Sequence, residues 1–305
     1  MTQPSAPTLA SWAMIVTLGL VWGATFIGVA LALEGFSPLW VAAGRLTLAA
    51  ALMLAIVQVV PNRVETDGRA RWPYMLFIGA MGAALPFFLL SWGQVRVASG
   101  FAGVSMAMIA LLVLPLSHLF VPGETMTLRK TIGVLLGVGG VAALFWGRFD
   151  GGADGLAEVW GQAACLCAAA CYATASIATR LCPPIEPIRL AAAQLTVGAA
   201  IVLPIALIRE GLPAIETSTA LTALVVLALI PTAGANLLRV LVIRSAGPQF
   251  MSLTNFQVPV WAVIFGALVL GEPVPPQLAL ALLLILGGIT VTQWPTLRRL
   301  IRRKT

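Results

Sequence analysis

Ten apolar runs, each long enough to cross a bilayer, follow one another along this chain with only short polar connections between them. They lie at about residues 10–31, 38–60, 73–93, 98–121, 129–147, 157–180, 187–208, 220–243, 248–270 and 276–295. A spanning helix needs about 20 mostly apolar residues, because each adds about 1.5 Å of rise across the hydrocarbon core. Inside lipid only helices and closed barrels satisfy every backbone N–H and C=O internally, and continuous runs of this length suit helices. A soluble fold fails on composition. Hydrophobic residues make up 60% of the 305 and charged residues 10%, where soluble domains carry about a quarter charged. The chain therefore reads as an all-α integral membrane protein with ten transmembrane helices. The first run has no basic residue before it and is too long for the apolar core of a cleavable signal, so it counts as a span.

The formal charge of +7 is carried by the connections, where it acts as a topology signal rather than a nucleic-acid surface. Segments on the N-terminal side of the bilayer hold Arg63, Arg69, Arg71, Arg129, Lys130, Arg180, Arg189, Arg244, Arg298, Arg299, Arg302, Arg303 and Lys304. Those on the other side hold only Arg96, Arg148 and Arg209. Thirteen against three predicts cytoplasmic termini in a cell (inner) membrane. Trp12, Trp40, Trp72, Trp146, Trp160 and Trp294 sit near predicted span ends, as headgroup anchors would. Cys165, Cys167, Cys171 and Cys182 lack CxxC spacing and a neighbouring histidine, so they read as packing residues, with no metal or cofactor expected.

The two halves of the chain repeat. Pro38, Ala42, Ala43, Leu46 and Thr47 recur as Pro187, Ala191, Ala192, Leu195 and Thr196. Arg96 recurs as Arg244, Gly123-Glu124 as Gly271-Glu272, and Gly139-Gly140 as Gly287-Gly288. Each repeat holds five spans, an odd number, so the second copy enters the membrane upside down relative to the first. The expected organisation is residues 1–147 as one five-helix repeat, 156–295 as its inverted copy, and 296–305 as a basic tail. Inverted repeats recur in secondary transporters, where they frame a midplane site with two related gates.

Val21-Trp22-Gly23-Ala24-Thr25-Phe26, Arg45, the Pro115 region leading to Gly123-Glu124, Ala246-Gly247, Pro259, Leu270-Gly271-Glu272 and Gly287-Gly288 together resemble the EamA-type branch of the drug/metabolite transporter superfamily. The resemblance covers both repeats in order. It implies a ten-helix fold with a central cavity and export of small metabolites, amino-acid exporters, the aromatic amino-acid group included, being the nearest, with another small metabolite or a drug as the alternative cargo. Leu111 stands where the second repeat has Pro259, so the two gates are expected to differ.

Polar groups inside hydrocarbon are costly and are functional candidates by default. All eleven acids fall in connections or at span ends, which argues against a cation substrate and against a buried proton-coupling carboxylate. Arg239 in the eighth span, with Asn236 one turn earlier, offers a fork of donors to a substrate carboxylate or a snorkelling interface cation. Arg45 reads as a structural arginine bonded to helix carbonyls; its counterpart is Gln194, so the repeat plan does not require its charge. Asn255 and Gln257 precede Pro259, where a missing proline N–H frees a carbonyl. Trp22 and Tyr172 hold matching places in the two repeats and suit an apolar substrate stem. Pro86, Pro231 and Pro259 mark helix breaks or gates. His118, near a span end, reads as a hydrogen-bonded interfacial residue rather than a proton carrier. Glu124 and Glu272 read as turn residues favourable to the following helix N-terminus. Gly19/Gly23 and Gly133/Gly137 permit close helix approach without demanding a dimer, and no oligomeric state follows.

The expected activity is alternating-access export of a small zwitterionic or carboxylate-bearing molecule, with lipid as the surrounding partner. An intramembrane lipid-modifying enzyme is the competing class. It would need clustered acids, histidines or a nucleophile–base pair, and a single histidine with no buried carboxylate supplies neither.

Overall fold

The computed structural model describes residues 8–59, 71–146, 152–215 and 217–302. Among the described residues ten long helices follow in order: α1 (Leu9–Leu33), α2 (Pro38–Val59), α3 (Trp72–Gln94), α4 (Ser99–Phe120), α5 (Leu128–Phe145), α6 (Gly152–Leu181), α7 (Pro187–Glu210), α8 (Ser218–Ala246), α9 (Thr254–Val269) and α10 (Pro276–Arg302); nine are long and apolar enough to cross a membrane, and α9 is a shorter apolar helix. They form two inverted repeats of five. Arg63, Arg69, Arg148, Arg303 and Lys304, counted above for topology, lie outside the described residues.

Local chemistry sets the helix ends. Thr8, Thr127 and Thr217 each accept the backbone N–H three residues on, capping α1, α5 and α8. Gly123 and Gly271, repeat mates, both turn at positive φ (83° and 66°), which explains why a glycine recurs before each glutamate. Two expectations change. The ninth span, expected from 248 to 270, is not one α-helix: a short turn, Pro248–Met251, leads through i−3 hydrogen bonds at Leu253, Asn255 and Phe256 into α9. The tightened turn keeps the helical path while shortening the regular α-ladder. The last helix also continues to Arg302, through the start of the expected tail.

The helix pairings obey a pseudo-two-fold exchange of the repeats. Under it α2–α7, α4–α9 and α5–α10 map onto themselves; α1–α9 maps onto α6–α4, α1–α8 onto α6–α3, and α2–α8 onto α7–α3, and all of these pairs pack. The α5–α10 seam shows the same symmetry in detail. A Cβ at Gly133 would meet the Gly288 carbonyl at 2.7 Å, and one at Gly140 would meet the Ala281 carbonyl at 3.0 Å. Gly140 is the mate of Gly288, and 133 that of 281. Small residues thus bring these backbones together within one chain. Gly19 and Gly23 likewise receive Gln257 and Trp261 of α9.

The tryptophans divide. Trp72, Trp146, Trp160 and Trp294 are exposed as anchors should be. Trp12 is partly buried, edge-on to Phe250 at 4.8 Å, and Trp40 packs among apolar residues of α1, α2 and α8. Those two are packing residues, because their helices are covered by neighbours where lipid was expected.

Candidate functional site

The two third helices are built unusually, and this shapes the space between the repeats. In α3 the segment Ala80–Ala84, just before Pro86, is π-helical; in α8 the segment Ala228–Gly234, which contains Pro231, is too. A proline lacks the N–H that an α-ladder needs, and a π turn absorbs the mismatch while releasing backbone groups for other partners. Trp22 takes one of them: its Nε1 donates to the Pro231 carbonyl at 3.2 Å.

A cavity of about 490 Å³ lies between the repeats, lined by residues of α1, α2, α3, α4, α6, α7, α8 and α9. Its walls consist largely of repeat mates. Trp22, Thr25 and Phe26 of α1 face Tyr172, Ala175 and Ser176 of α6, each 150 residues on. Arg45 and Gln194 are mates, as are Phe87 and Asn236, Leu90 and Arg239, Met106 and Thr254, and Ala107 and Asn255. Inversion places mates at opposite depths. The first repeat supplies mainly apolar walls and the second mainly polar ones, so the half toward the N-terminal face is polar. Ser176 and Arg239, the exposed liners, lie in that half. Deeper, Gln94 Nε2 donates to the Phe26 carbonyl at 2.8 Å.

Arg45 is the exception to this polarity. It is 8% exposed, yet it lines the cavity within the apolar half. Its Nε donates to Thr232 Oγ1 at 2.6 Å, and its guanidinium stacks 4.1 Å from the Phe87 ring. The partners are a hydroxyl and an aromatic face, where helix carbonyls were expected, because the π segment of α8 brings Thr232 within reach. Gln194 does the corresponding work in the other repeat, donating from Nε2 to the Gly82 carbonyl of the α3 π segment at 2.6 Å.

Of the residues expected to bind substrate, Trp22, Tyr172, Asn236, Arg239 and Asn255 line this cavity and Gln257 does not. Gln257 lies against Gly19 in the α1–α9 contact. The reason is helical geometry: two residues apart means about 200° around the axis, so Asn255 and Gln257 face opposite ways. Asn236 Nδ2 is engaged by the Thr232 carbonyl at 2.6 Å. Pro231 and Pro259 are in the wall; Pro86 is buried outside it. Arg45, Gln194, Ser176, Thr179, Thr232 and Thr254 also line it, and only their polarity inside apolar spans could have flagged them. No Asp or Glu is among the described liners. A larger recess of about 600 Å³ between α1 and α8 has hydroxyls but no charged residue among its described liners, so it offers no counter-charge to an ionised ligand.

At the two faces the mates Glu272 and Glu124 part company. Glu272 accepts from Ser99 N at 2.7 Å, Ser99 Oγ at 2.7 Å and Gly100 N at 3.2 Å, so it caps α4 rather than serving the helix that follows it. Glu124 instead pairs with Arg180 at 2.6 Å and Lys130 at 3.3 Å. Those cations hold its carboxyl below the usual carboxylate range, Arg180 contributing most. His118 Nδ1 lies 3.1 Å from the Glu124 carbonyl.

The family model described as the EamA-like transporter family matches residues 10–146 and 159–294. Among curated proteins, the uncharacterized transporter YoaV of Bacillus subtilis (strain 168) is 26% identical over 287 residues, covering 93% of this chain and 97% of YoaV. The uncharacterized inner membrane transporter YedA of Escherichia coli (strain K12) is 24% identical, covering 85% and 82%. A probable terminal-alkyne amino-acid exporter of Streptantibioticus cattleyicolor is 29% identical over 135 residues, 44% of each chain. A solved structure described only as "Crystal structure of protein" superposes with a TM-score of 0.65 at 20% identity, covering 95% of this chain and 98% of that one. At that identity the likeness shows the fold.

Proposed function

The chain belongs to the EamA-like transporter family, and we propose that it exports a small zwitterionic or carboxylate-bearing metabolite, of the amino-acid class, from the cytoplasm. It is a multi-pass membrane transporter and not an enzyme. The observation that carries the substrate class is the cavity itself. About 490 Å³ is ample for an amino acid, the walls combine Arg239, Asn236 and Asn255 with Trp22 and Tyr172, and no carboxylate is among the described liners. A cationic substrate would meet two arginines there without a counter-charge. A carboxylate meets a guanidinium, an amino group meets amide oxygens, and an apolar side chain, aromatic ones included, meets the rings. The partial likeness to a probable amino-acid exporter supports the same class.

Alternating access between the repeats is the mechanism this reading requires. The polar mouth at the N-terminal face and the Glu272 cap at the opposite face correspond to a conformation open toward the N-terminal face. The excess of basic residues on that face supports reading it as the cytoplasmic side of an inner membrane, in which case this conformation would load cargo for export. Reconstituted proteoliposomes test the reading with the twenty common amino acids, assayed with and without a pH gradient. Faster movement of at least one than in protein-free vesicles is expected; movement of none removes the amino-acid class.

A further inference from the structure

We propose that Arg45 binds the acidic group of the cargo at the deep end of the cavity, an inference that rests on the carboxylate-bearing class above. The pseudo-two-fold separates what this arginine does for the fold from what its charge does. Arg45 and Gln194 are mates on α2 and α7, and each ties its helix to the π segment of the third helix in the other repeat: Arg45 through Thr232, Gln194 through Gly82. The neutral amide makes its tie at the same 2.6 Å as the guanidinium. Packing therefore asks only for a donor of about this reach. The positive charge at position 45 is surplus to the architecture.

A surplus charge in this place is expensive, since a cation within the hydrocarbon zone forfeits its hydration. The described ion pairs use Glu124 and Glu186 with partners other than Arg45, and neither they nor any other carboxylate is among the described liners. The charge is left to be balanced by whatever enters. Its geometry suits that task. The bond to Thr232 uses Nε and the Phe87 ring covers a face of the guanidinium; together they fix its plane. Neither contact uses the two terminal amino groups, the pair that grips a carboxylate oxygen pair side on. Beside it Phe26 and Leu90 offer apolar walls for a carbon stem. Arg239, nearer the N-terminal face, is then the residue of entry, and Arg45 the residue of residence.

The symmetry also supplies the test. Arg45→Gln installs the residue its mate already uses, so the tie to Thr232 survives while the charge goes. Arg45→Lys keeps the charge and loses the fork. Purified wild type and both variants are compared by ligand-induced thermostabilisation with L-amino acids, their amides, and 3-phenylpropionate, which has the acid but no amine. The same proteins are assayed for amino-acid flux in proteoliposomes. Wild type should bind carboxylates and not the amides; Arg45→Gln should fold with its unfolding temperature within a few degrees of wild type and lose tenfold or more in carboxylate affinity; Arg45→Lys should fall between. Carboxylate binding unchanged in Arg45→Gln overturns the inference, as does a wild type that binds none of the carboxylates. Should Arg45→Gln not fold, Arg45→Lys decides: unchanged carboxylate affinity overturns it and weakened affinity supports it. Arg45-dependent binding without flux of any amino acid would leave the inference standing and remove the transport reading. Flux equal in wild type and Arg45→Gln would do the reverse.

Discussion

Glu272 and Ser99, 173 residues apart in sequence, join α4 to the α9–α10 turn: Ser99 donates its backbone N–H to Oε1 and its hydroxyl to Oε2, both at 2.7 Å. The mate of Glu272, Glu124, makes no such cap and pairs with Arg180 and Lys130 instead. One sequence plan is thus used in two ways at the two faces, which is what a protein built to be closed on one side and open on the other would show.

The cap has a local readout. Glu272→Gln replaces an acceptor-only carboxylate with an amide that turns a donor toward donors. Charge-assisted bonds of this kind are worth about twice neutral ones, so amide exchange at Ser99 and Gly100 should rise roughly tenfold, measured by hydrogen–deuterium exchange in detergent or nanodiscs. Exchange there at the wild-type rate would show that Glu272 is not what orders the start of α4.

Acid should loosen the other face. The Glu124 carboxyl titrates below the ordinary value of 4.5 in the folded protein, through Arg180 first and Lys130 second. A lowered pKa gives stability that is complete above the unfolded value and drains away as pH falls through the folded one. The difference in unfolding temperature between wild type and Glu124→Gln should be constant above about pH 4.5 and shrink below it. The pair is partly solvated, so the effect is small, up to about 1 kcal/mol. A difference that grows on acidification would reverse the assignment.

Two glycines on one helix should behave oppositely. A Cβ at Gly133 would press on the Gly288 carbonyl and on Thr292, whereas one at Gly139 would only touch Leu284 at 4.0 Å. Overpacking costs about 1–3 kcal/mol, while a helix-interior Gly→Ala change with room to spare gains about 0.5–1 kcal/mol. Gly133→Ala should therefore lower the unfolding temperature and Gly139→Ala hold or raise it. Equal effects would mean that the α5–α10 seam is not close packed.

Asn255 and Gln257 separate binding from packing. Under the proposed export reading, Asn255→Ala should raise the KM for the cargo severalfold with little loss of stability, because its side chain faces the cavity. Gln257→Leu should leave KM alone and change the unfolding temperature, because it lies against Gly19. A KM shift in Gln257→Leu would put that amide back in the site.

The ten spans and their inverted pairing were legible in the sequence because both follow from one-dimensional facts: the length of apolar runs and the oddness of five. The interior was legible only in outline. Pro86 and Pro231 announced irregular backbone, but nothing along the chain says that the irregularity is a π turn whose freed groups meet Trp22 and Gln194. Gln257 looked equivalent to Asn255 because both are amides before a proline, and only the angle around the helix separates them. Glu272 was read against the helix that follows it, since a cap supplied from 173 residues away has no local signature. Along the chain Arg45 reads only as a structural cation; comparison with Gln194 in space is what divides its bond from its charge.

A π segment amounts to one residue more than an α-ladder can hold, and this has a consequence for how α8 tolerates change in length. Everything after Ala228–Gly234 is rotated by about 100° relative to an unbroken helix, the angle of one residue. Deleting a single residue there would restore a regular helix of ample span and keep Asn236 and Arg239 facing the cavity, whereas winding the same residues into an unbroken α-helix would swing both out of it. Two chains of this kind could then differ by one amino acid in length and keep the same charged mouth, while only the longer has the irregular backbone that meets Trp22 and Arg45.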